Sequence, residues 1–520
     1  MSKKSFFSGA IILMIAGLIV RIFGFIYRIY LSNLIGAEGM GLFQLISPVY
    51  SLIILTLTSG ISIAVSKMVA EEEARGHYIN LRRITSCAAV FILICGIIIS
   101  VLIALNVDFI VKTILKDNRT YFSLLVLLPS IPVIATASAL KGYFYGTQDV
   151  TPTAISQIVE QIVRIGLVLL MASYFLKLGL EYACALATAG MAIGEVSNLA
   201  VLYIIYLARK NRSKRLPRTG ILRKRVIFKN MITIATPISF NRFITSIMAA
   251  VEYIMIPRML LAGGNDYQTS IELYGRLTGM AMPLVFFPCI VTSSLATTLV
   301  PAISEAMSLK NLRAAVYRIS KSIQITFVLG FMFTAVFMTY PKEIGDILYK
   351  KEDIGWILSL LSFTCIFVYL QQTLLGIMNG LGKQGVSLRN SSIGYIIRIC
   401  FVYFCVPKYG IKGYIWGMII SLAIVCILDL YKVSSVTGMH FDIRNWVFKP
   451  GIVGIAVLAA GKYIYSFFSI FTDNYIINVV LAVAGNLVIS LALNFIIGAL
   501  DKEELLRLVG FKKYQNNMKL

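Results

Sequence analysis

Long apolar stretches recur along the whole chain and are separated by short polar segments. The stretches from Ile84 to Ala104 and from Ile476 to Leu500 can each cross a bilayer, since a spanning helix needs about 20 apolar residues. The same pattern predicts fourteen membrane spans: 6–33, 42–69, 84–106, 121–146, 150–176, 180–207, 230–261, 273–301, 321–340, 354–380, 386–406, 410–436, 449–468 and 476–500. The predicted fold class is therefore an all-α polytopic membrane protein.

The composition agrees with this prediction. Of the 520 residues, 58% are hydrophobic and 14% are charged, and the mean hydropathy is +0.83, whereas a soluble domain has about 25% charged residues. Lys3 and Lys4 are followed by a mostly apolar run that reaches residue 33. This run exceeds a signal-peptide core of about 7–15 residues, so we expect it to remain as the first span.

The positive charges are unevenly distributed between the two sets of predicted loops. The formal net charge is +24, and the segments predicted to be cytoplasmic hold about three times as many Lys and Arg residues as the outer loops. The positive-inside rule then predicts an even number of spans in the cell membrane, with both termini cytoplasmic. The basic loop 208–229 is interpreted as a topology-setting linker beside anionic lipid headgroups, with a nucleic-acid or regulatory site as the less favoured alternative.

The cysteine and histidine pattern does not indicate a metal centre, a thiol site or another cofactor. All eight cysteines fall in apolar segments, none forms a CxxC pair, and both histidines lie in predicted loops. Packing in the helices is the expected role of these cysteines.

An internal repeat emerges when the chain is shifted by 234 residues against itself. Leu140, Gly142 and Gly146 then match Leu374, Gly376 and Gly380, and Ile162, Arg164 and Ile165 match Ile396, Arg398 and Ile399. This offset spans six predicted helices, an even number, so the two copies are predicted to be parallel, with a substrate site between them. The predicted organisation is an N-terminal lobe (1–207), the basic linker (208–229), a C-terminal lobe (230–436), two extra spans (449–500) and a cytoplasmic tail (501–520).

Arginines inside the spans are the strongest candidates for function, because a charge at bilayer depth normally faces a cavity or pathway. Arg21 and Arg28 lie two helical turns apart and share a face, and Arg164 and Arg398 are repeat mates near the middle of their spans. Guanidinium groups bind phosphate or pyrophosphate bidentately. We therefore predict that the substrate-binding cavity is lined by Arg21, Arg28, Arg164 and Arg398.

The alternative is that these arginines pair with acids and only hold helices together. The in-span acids, with charge-pairing or coupling as their expected role, are Glu160, Glu195, Glu252 and Asp429. Glu160 lies one turn before Arg164, so pairing and cavity lining are both open for that arginine. Arg28, Arg258 and Arg276 could also reach the membrane interface. Glu160 has Gly394 as its repeat mate, so we interpret it as a residue of the first half that positions or neutralises Arg164, or titrates.

Three stretches resemble the multidrug/oligosaccharidyl-lipid/polysaccharide (MOP) exporter superfamily, especially its members from endospore-forming bacteria. They are "RIFGFIYRIYLSNLIGAEGMGLFQ" (21–44), "ALKGYFYGTQDVTPTAISQIVEQIVRI" (139–165) and "YGRLTGMAMPLVFFPCIVTSSLATTLVPAISEA" (274–306). The resemblance covers nearly the whole chain. It implies a V-shaped, two-lobed bundle that works by alternating access and is driven by H⁺, Na⁺ or the membrane potential.

The resemblance also implies a substrate and a location. The substrate would be an undecaprenyl-pyrophosphate-linked saccharide, such as the peptidoglycan precursor of the spore cortex. The location would be the outer forespore membrane. In lipid II flippases of the MurJ type, an Arg-x-x-Gly-Phe motif matches Arg21, Gly24 and Phe25. A second arginine of those flippases meets Tyr27, with Arg28 one place further on. Their second-helix arginine has no counterpart here, and their last two helices form a groove for the polyprenyl tail.

Two other functions agree less well with the sequence than a flippase does. A cation-coupled drug exporter of the same superfamily would need an acid-rich cavity, whereas the in-span charges here are mainly arginine. A membrane glycosyltransferase or ligase acting on lipid-linked sugars usually carries catalytic acids or histidine on a sizeable outer loop, and the predicted outer loops are short. The sequence therefore predicts a non-enzymatic flippase, with a lipid-linked oligosaccharide and membrane lipids as partners and no nucleic acid.

Overall fold

A computed structural model describes residues 4–212, 221–350, 352–470 and 472–500, with side chains of residues 4–13 and 210–212 left out. Every regular element in these ranges is helical, as the apolar pattern predicts. Residues 213–220 of the basic linker and the tail 501–520 lie outside the described residues. The contacts divide the chain into two compact units, Met1–Met280 and Ala281–Leu520.

In the described part of the chain, the first unit contains nine α-helices. A π-helix (Ile110–Leu115) and a 3₁₀ turn (Asn118–Thr120) follow α3, and a second π-helix (Gly275–Ala281) follows α9. The α-helices are α1 (Lys4–Ala74), α2 (Tyr78–Leu105), α3 (Val107–Phe109), α4 (Tyr121–Leu127), α5 (Ser130–Gly146), α6 (Thr151–Leu178), α7 (Leu180–Arg212), α8 (Lys224–Ala262) and α9 (Tyr267–Tyr274).

Over its described residues, the second unit contains eleven α-helices and one π-helix, Arg444–Phe448. The α-helices are α10 (Met282–Phe286), α11 (Cys289–Ser308), α12 (Leu312–Thr339), α13 (Pro341–Leu348), α14 (Gly355–Leu361), α15 (Thr364–Gly380), α16 (Gln384–Phe404), α17 (Val406–Tyr409), α18 (Ile411–Thr437), α19 (Lys449–Ser469) and α20 (Tyr475–Ile496).

The helices account for the predicted spans, with three differences in detail. Among the described residues, eleven helices are long and apolar enough to cross a membrane, or twelve if α14 and α15, bent by 49°, form one span. The first two predicted spans are joined in α1, which is kinked at Gly36, where φ is 66°. The predicted span 273–301 is broken between α10 and α11. The predicted span 386–406 corresponds to α16, which is too polar to be included among the eleven membrane-spanning helices. The chain is a multi-pass membrane protein.

The division into units differs from the predicted lobe boundary. The units meet within the π-helix Gly275–Ala281 rather than at the basic linker. The reason is that α8 packs along α1: a Cβ atom built on Gly60 would lie 2.4 Å from the carbonyl oxygen of Ala235. Contacts define the units, whereas the sequence offset defines the repeats, so the lobe boundaries stay a prediction.

The internal repeat appears as matching helix contacts inside each unit. A Cβ atom built on Gly142 would lie 2.7 Å from the carbonyl oxygen of Ser62, and one built on Gly376 would lie 2.6 Å from that of Ala296. All these residue numbers keep the 234-residue offset. Because both glycines allow backbone contact at the same place, the two copies pack their helices in the same way.

A hydrogen bond is repeated as well. The Ser100 hydroxyl donates to the carbonyl oxygen of Leu128 at 2.8 Å, and the Thr334 hydroxyl donates to that of Ser362 at 3.0 Å. Both acceptors lie where a helix pair breaks, between α4 and α5 and between α14 and α15. Each of these carbonyls also accepts a backbone N–H, from Ile131 and Cys365 respectively, so the hydroxyl of the neighbouring helix adds a second hydrogen bond at the break.

The first unit also contains a crossing in which both repeat copies take part. A Cβ atom on Gly41 would lie 2.3 Å from the carbonyl oxygen of Ile271, and one on Gly275 would lie 2.0 Å from that of Ala37. Gly41 and Gly275 are repeat mates, and so are Ala37 and Ile271. Such a reciprocal contact is the signature of a local two-fold axis between like segments.

Replacing Gly41 with Ala should destabilise the first unit, because the added methyl group meets the backbone of α9. We expect the free energy of unfolding to fall by about 1–3 kcal/mol, as for other overpacked sites. Thermal unfolding of the detergent-purified protein measures this change. Gly166→Ala is the matched control, since no atom lies within 4 Å of its added Cβ, and it should be neutral or stabilising by up to about 1 kcal/mol. Equal effects of the two variants would contradict the close crossing.

Candidate functional site: a basic cavity in the first unit

A cavity of about 210 Å³ lies in the first unit between α1, α4, α6 and α7. Its wall combines two arginines, two tyrosines and other polar groups with apolar side chains. The lining residues are Gly24, Tyr27, Arg28, Leu31, Phe43, Gln44, Ile46, Ser47, Tyr50, Leu127, Arg164, Thr188 and Met191. The structure therefore brings together two of the four predicted substrate-binding arginines.

Arg28 is positioned by the π-helix that follows α9. Its Nε donates to the carbonyl oxygen of Gly279 and its Nη2 to that of Thr278, both at 3.2 Å. Gln44 Nε2 also donates to the Thr278 carbonyl, at 3.1 Å. Local departures from the regular α-helical ladder leave backbone carbonyls that side chains can satisfy. Because these carbonyls are neutral, they orient the guanidinium of Arg28 without cancelling its charge.

Arg164 lines the cavity and is also paired with Glu160. Its Nη2 donates to Glu160 Oε1 at 2.5 Å, and the two side chains are 15% and 11% exposed. The second oxygen, Glu160 Oε2, accepts from Asn198 Nδ2 at 2.7 Å. Arg164 Nε is buried and has no hydrogen-bond partner among the described residues. Pairing and cavity lining, which the sequence left as alternatives, occur together.

Two glycines of α7 fix the position of this pair. A Cβ atom built on Gly194 would lie 3.3 Å from Glu160 Cγ and 3.5 Å from Arg164 Cβ, and one on Gly190 would lie 3.6 Å from Arg164 Cγ. Gly190 and Gly194 form a G-x-x-x-G pattern, which lets membrane helices approach closely. The α7 backbone therefore packs on the stems of both charged side chains and leaves only their ends free to move.

The tyrosines add hydroxyl groups to the cavity wall. Tyr27 is buried, and its hydroxyl has no hydrogen-bond partner among the residues that the structure describes. Tyr50 and Ser130 share a hydrogen bond of 3.1 Å between their hydroxyl oxygens. Two guanidinium groups and an available hydroxyl donor suit a multiply charged oxyanion.

The other two predicted arginines lie elsewhere. Arg21 is exposed and does not line the cavity, because two helical turns place it about 10 Å along α1 from Arg28. Arg398 belongs to the second unit, where its guanidinium carbon lies 4.5 Å from the ring centre of Tyr395. Their roles in substrate binding stay predictions.

Besides Glu160 on α6, the predicted acids lie on α7, α8 and α18, and Glu252 and Asp429 are buried. Glu195 Oε2 accepts from Asn198 at 3.4 Å, and Glu252 on α8 is 2% exposed. In the second unit Asp429 is 1% exposed, and its Oδ1 accepts from Asn390 Nδ2 at 2.8 Å. Glu195 and Asp429 are separated by the repeat offset of 234, which the sequence comparison missed. Within the described ranges no group of three or more His, Cys, Asp and Glu side chains could hold a metal ion.

A second polar cluster joins α1 to the segment before α4 and to α9. The Arg119 Nη1 donates to Glu38 Oε1 at 2.5 Å, and its Nη2 donates to Asp117 Oδ2 at 2.9 Å. The Tyr267 hydroxyl also donates to Asp117 Oδ2, at 2.8 Å. Burial, followed by this hydrogen bond, raises the pKa of Tyr267 above its ordinary value, so the tyrosine stays a donor at neutral pH. The cluster holds together the three elements around the crossing at Gly41.

Arg258 and Arg276 have local partners rather than a place in the cavity. Arg258 Nη2 donates to the carbonyl oxygens of Thr113 and Ile114, and Arg276 Nη2 lies 3.7 Å from Glu272 Oε2.

Sequence reasoning missed several polar residues of this region. Lys141 lies inside the predicted span 121–146, but it is not among the charged residues that the sequence analysis assigned to the spans. Asn198 was also missed, although it follows Glu195 by three residues and so shares its helix face. Nothing in the sequence distinguished Tyr27 and Gln44 as site residues, because uncharged polar residues are common in apolar helices.

The fold and the site together define a class: an α-helical, multi-pass membrane protein with a basic cavity among its helices. Several solved structures of membrane transporters have a similar fold. A structure titled lipid II flippase MurJ, inward closed conformation, matches with a TM-score of 0.71 at 15% identity and covers 96% of this chain and 100% of the other. An inward-facing multidrug resistance MATE family transporter matches with a TM-score of 0.62 at 15% identity, covering 82% and 100%.

The sequence comparison then places the chain in a family. Residues 6–307, more than half of the chain, match the model of the Polysacc_synt family, described as polysaccharide biosynthesis protein. The chain belongs to this family.

Two curated relatives cover nearly the full length of the chain. Stage V sporulation protein B of Bacillus subtilis (strain 168) is 29% identical over 514 residues, which is 98% of each chain. Lipid II flippase MurJ of the same organism is 26% identical over an alignment of 541 positions, and this alignment covers 97% of each chain. The resemblance noted from the three sequence stretches is confirmed.

The Glu160–Arg164 pair should contribute measurably to stability. We expect Glu160→Ala to lower the free energy of unfolding by about 2 kcal/mol, because it leaves a mostly buried guanidinium without its counter-charge. The double variant Glu160→Ala/Arg164→Ala should recover part of the loss. Thermal unfolding of the two single variants and the double variant gives the coupling energy.

The matched control is another pair with the same spacing, Lys67 and Glu71, whose side chains are 60% and 49% exposed and 4.0 Å apart. Its coupling energy should be below about 0.5 kcal/mol. Equal coupling in the two cycles would contradict a buried ion pair at Glu160.

Proposed function

We propose that this protein is a flippase that carries a lipid-linked saccharide across the cell membrane by alternating access, with its pyrophosphate group bound in the basic cavity. The observation that carries the proposal is the presence of Arg28 and Arg164 in one cavity among apolar helices. Keeping two arginines at membrane depth is costly, and such residues usually mark a substrate pathway.

The chemistry of the wall supports a pyrophosphate ligand. Each guanidinium can bind two phosphate oxygens at once, and the Tyr27 hydroxyl can donate a further hydrogen bond. The volume of about 210 Å³ is below the range of about 300–1,000 Å³ for drug-sized ligands. The cavity is therefore sized for the charged group, while saccharide and lipid tail would lie outside it.

The relatives support a more specific substrate. One matching protein is named lipid II flippase and another is named for stage V of sporulation. We accordingly propose an undecaprenyl-pyrophosphate-linked peptidoglycan precursor for spore cortex synthesis, with the outer forespore membrane as the location and both termini in the cytoplasm. Arg21 and Arg398 would add to pyrophosphate binding during the cycle, and α19 and α20 would accept the polyprenyl tail.

A second candidate function is export of cationic drugs. The likeness to a multidrug resistance MATE family transporter favours it at the level of the fold. The cavity wall argues against this function. Arg28 and Arg164 line the cavity and repel a cationic ligand, whereas Glu160, the carboxylate that pairs with Arg164, is not part of the lining.

Arg28→Ala and Arg164→Ala should each reduce translocation at least tenfold, since each removes a charged hydrogen-bonding group worth about 1.5–3 kcal/mol. Proteoliposomes containing fluorescent lipid II measure this rate through quenching of the label on the outer leaflet. Arg225→Ala is the matched control, because Arg225 is exposed at the start of α8. Arg28→Lys should recover only part of the activity, because lysine cannot form the bidentate contact.

Three outcomes would contradict the proposal. One is wild-type translocation no faster than in empty vesicles, another is an equal loss in the Arg225 control, and the third is efflux of a cationic dye by the wild type. Chromatography of the recovered lipid tests the enzymatic alternative, since a flippase returns its substrate chemically unchanged.

A further inference from the structure

Glu160 holds Arg164 at the wall of the cavity in which we place the pyrophosphate. From this geometry we infer that Glu160 is a built-in competitor for the substrate: it occupies Arg164 when the cavity is empty and yields the guanidinium to the pyrophosphate when substrate binds. The inference deepens the proposed function and rests on it, because it concerns the affinity and release of the same ligand.

The first step is the charge of the pair. Arg164 lines the cavity, whereas Glu160 contacts it from behind and is not part of the lining. As long as the 2.5 Å contact is intact, the carboxylate of Glu160 offsets part of the positive charge that Arg164 presents to the cavity. A bound pyrophosphate gains the full charge of Arg164 only by drawing the guanidinium away from Glu160. The carboxylate of Glu160 therefore weakens the binding of any anion in this cavity.

The second step is that Arg164 has unused donor capacity. Its Nη2 bonds to Glu160, while its Nε is buried without a hydrogen-bond partner among the described residues. A guanidinium has five N–H donors in a planar fork. A rotation of the fork toward the cavity would satisfy Nε on a phosphate oxygen and loosen the contact with Glu160.

The third step is that Glu160 keeps a partner when Arg164 leaves. Asn198 is fully buried and donates to Glu160 Oε2 at 2.7 Å. Gly194 of α7 packs on the Glu160 stem, since a Cβ atom built on it would lie 3.3 Å from Glu160 Cγ. The carboxylate thus stays beside the cavity, ready to take Arg164 back when the substrate departs. A transporter gains from this exchange, because a ligand bound too tightly cannot be released.

The internal repeat supports a specific role for Glu160 in the first copy. The position equivalent to Glu160 in the second unit is Gly394, and the repeat mate Arg398 lies over the ring of Tyr395 at 4.5 Å. An aromatic face holds a cation without cancelling its charge. The carboxylate at position 160 is therefore a feature of the first repeat copy, since its counterpart Gly394 has no side chain to pair with an arginine.

The test measures binding of inorganic pyrophosphate and of farnesyl pyrophosphate to the purified full-length protein by calorimetry. Glu160→Gln keeps the size of the side chain and a hydrogen bond with Asn198 but removes the negative charge. We expect this variant to bind both probes at least tenfold more tightly than wild type, and to translocate fluorescent lipid II more slowly. In the double variant Glu160→Gln/Arg164→Ala the gain in affinity should disappear.

Glu195→Gln is the matched control. It replaces a carboxyl group on the other helix of the same pair, and Glu195 accepts from Asn198 and is not bonded to Arg164. Its effect on the affinity should stay within about threefold, which separates contact competition from a general gain in positive charge. An equal gain in both variants would overturn the inference.

A purely structural role for Glu160 gives a different result. Glu160→Gln would then lower the unfolding temperature and leave the affinity for both probes unchanged or weaker, and that result would overturn the inference. The proposed function fails separately, if wild-type protein binds pyrophosphate and Glu160→Gln binds it more tightly, but lipid II is not translocated. If wild type and Glu160→Gln both fail to bind either probe, the inference and the pyrophosphate site are rejected together.

Discussion

The close approach of helix backbones through glycine is the constraint on which the rest of this structure depends. Inside a bilayer the lipid is as apolar as the side chains, so burial alone does not drive helices together, and packing must supply the stability. The reciprocal contacts of Gly41 and Gly275 bring the two repeat copies within backbone distance in the first unit. This crossing places the Thr278 and Gly279 carbonyls against Arg28, and so defines one wall of the cavity.

The same principle places the second arginine. Gly190 and Gly194 bring α7 onto the stems of Glu160 and Arg164, and Asn198 one turn further on meets the carboxylate. The cavity therefore holds one arginine anchored by neutral carbonyls and another anchored by a counter-charge. The two arginines of the cavity are thus held by chemically different groups, Arg28 by backbone carbonyls and Arg164 by a carboxylate.

The repeat shows which features the helix bundle requires and which are additions. The glycine contacts at 142 and 376 and the hydroxyl bonds at 100 and 334 are kept at the same offset, because each solves a packing or backbone problem that both copies share. At the equivalent positions 160 and 394 the two copies differ, since Glu160 pairs with Arg164 whereas Gly394 has no side chain. No packing contact shared by the two copies requires this carboxylate.

The sequence by itself determined the membrane class, the positions of nearly all helices and the 234-residue repeat, because these depend on the length of apolar runs and on residue identity at fixed spacing. It also identified the Glu160–Arg164 pair, since a separation of four residues places both on one helix face. Only the tertiary structure decided that Arg28 and Arg164 share a cavity that Arg21 does not reach, and that Asn198 and the carbonyls of a π-helix complete the site. These contacts join residues far apart in the chain, and they depend on helix rotation and crossing, which glycine packing sets and local sequence patterns do not encode.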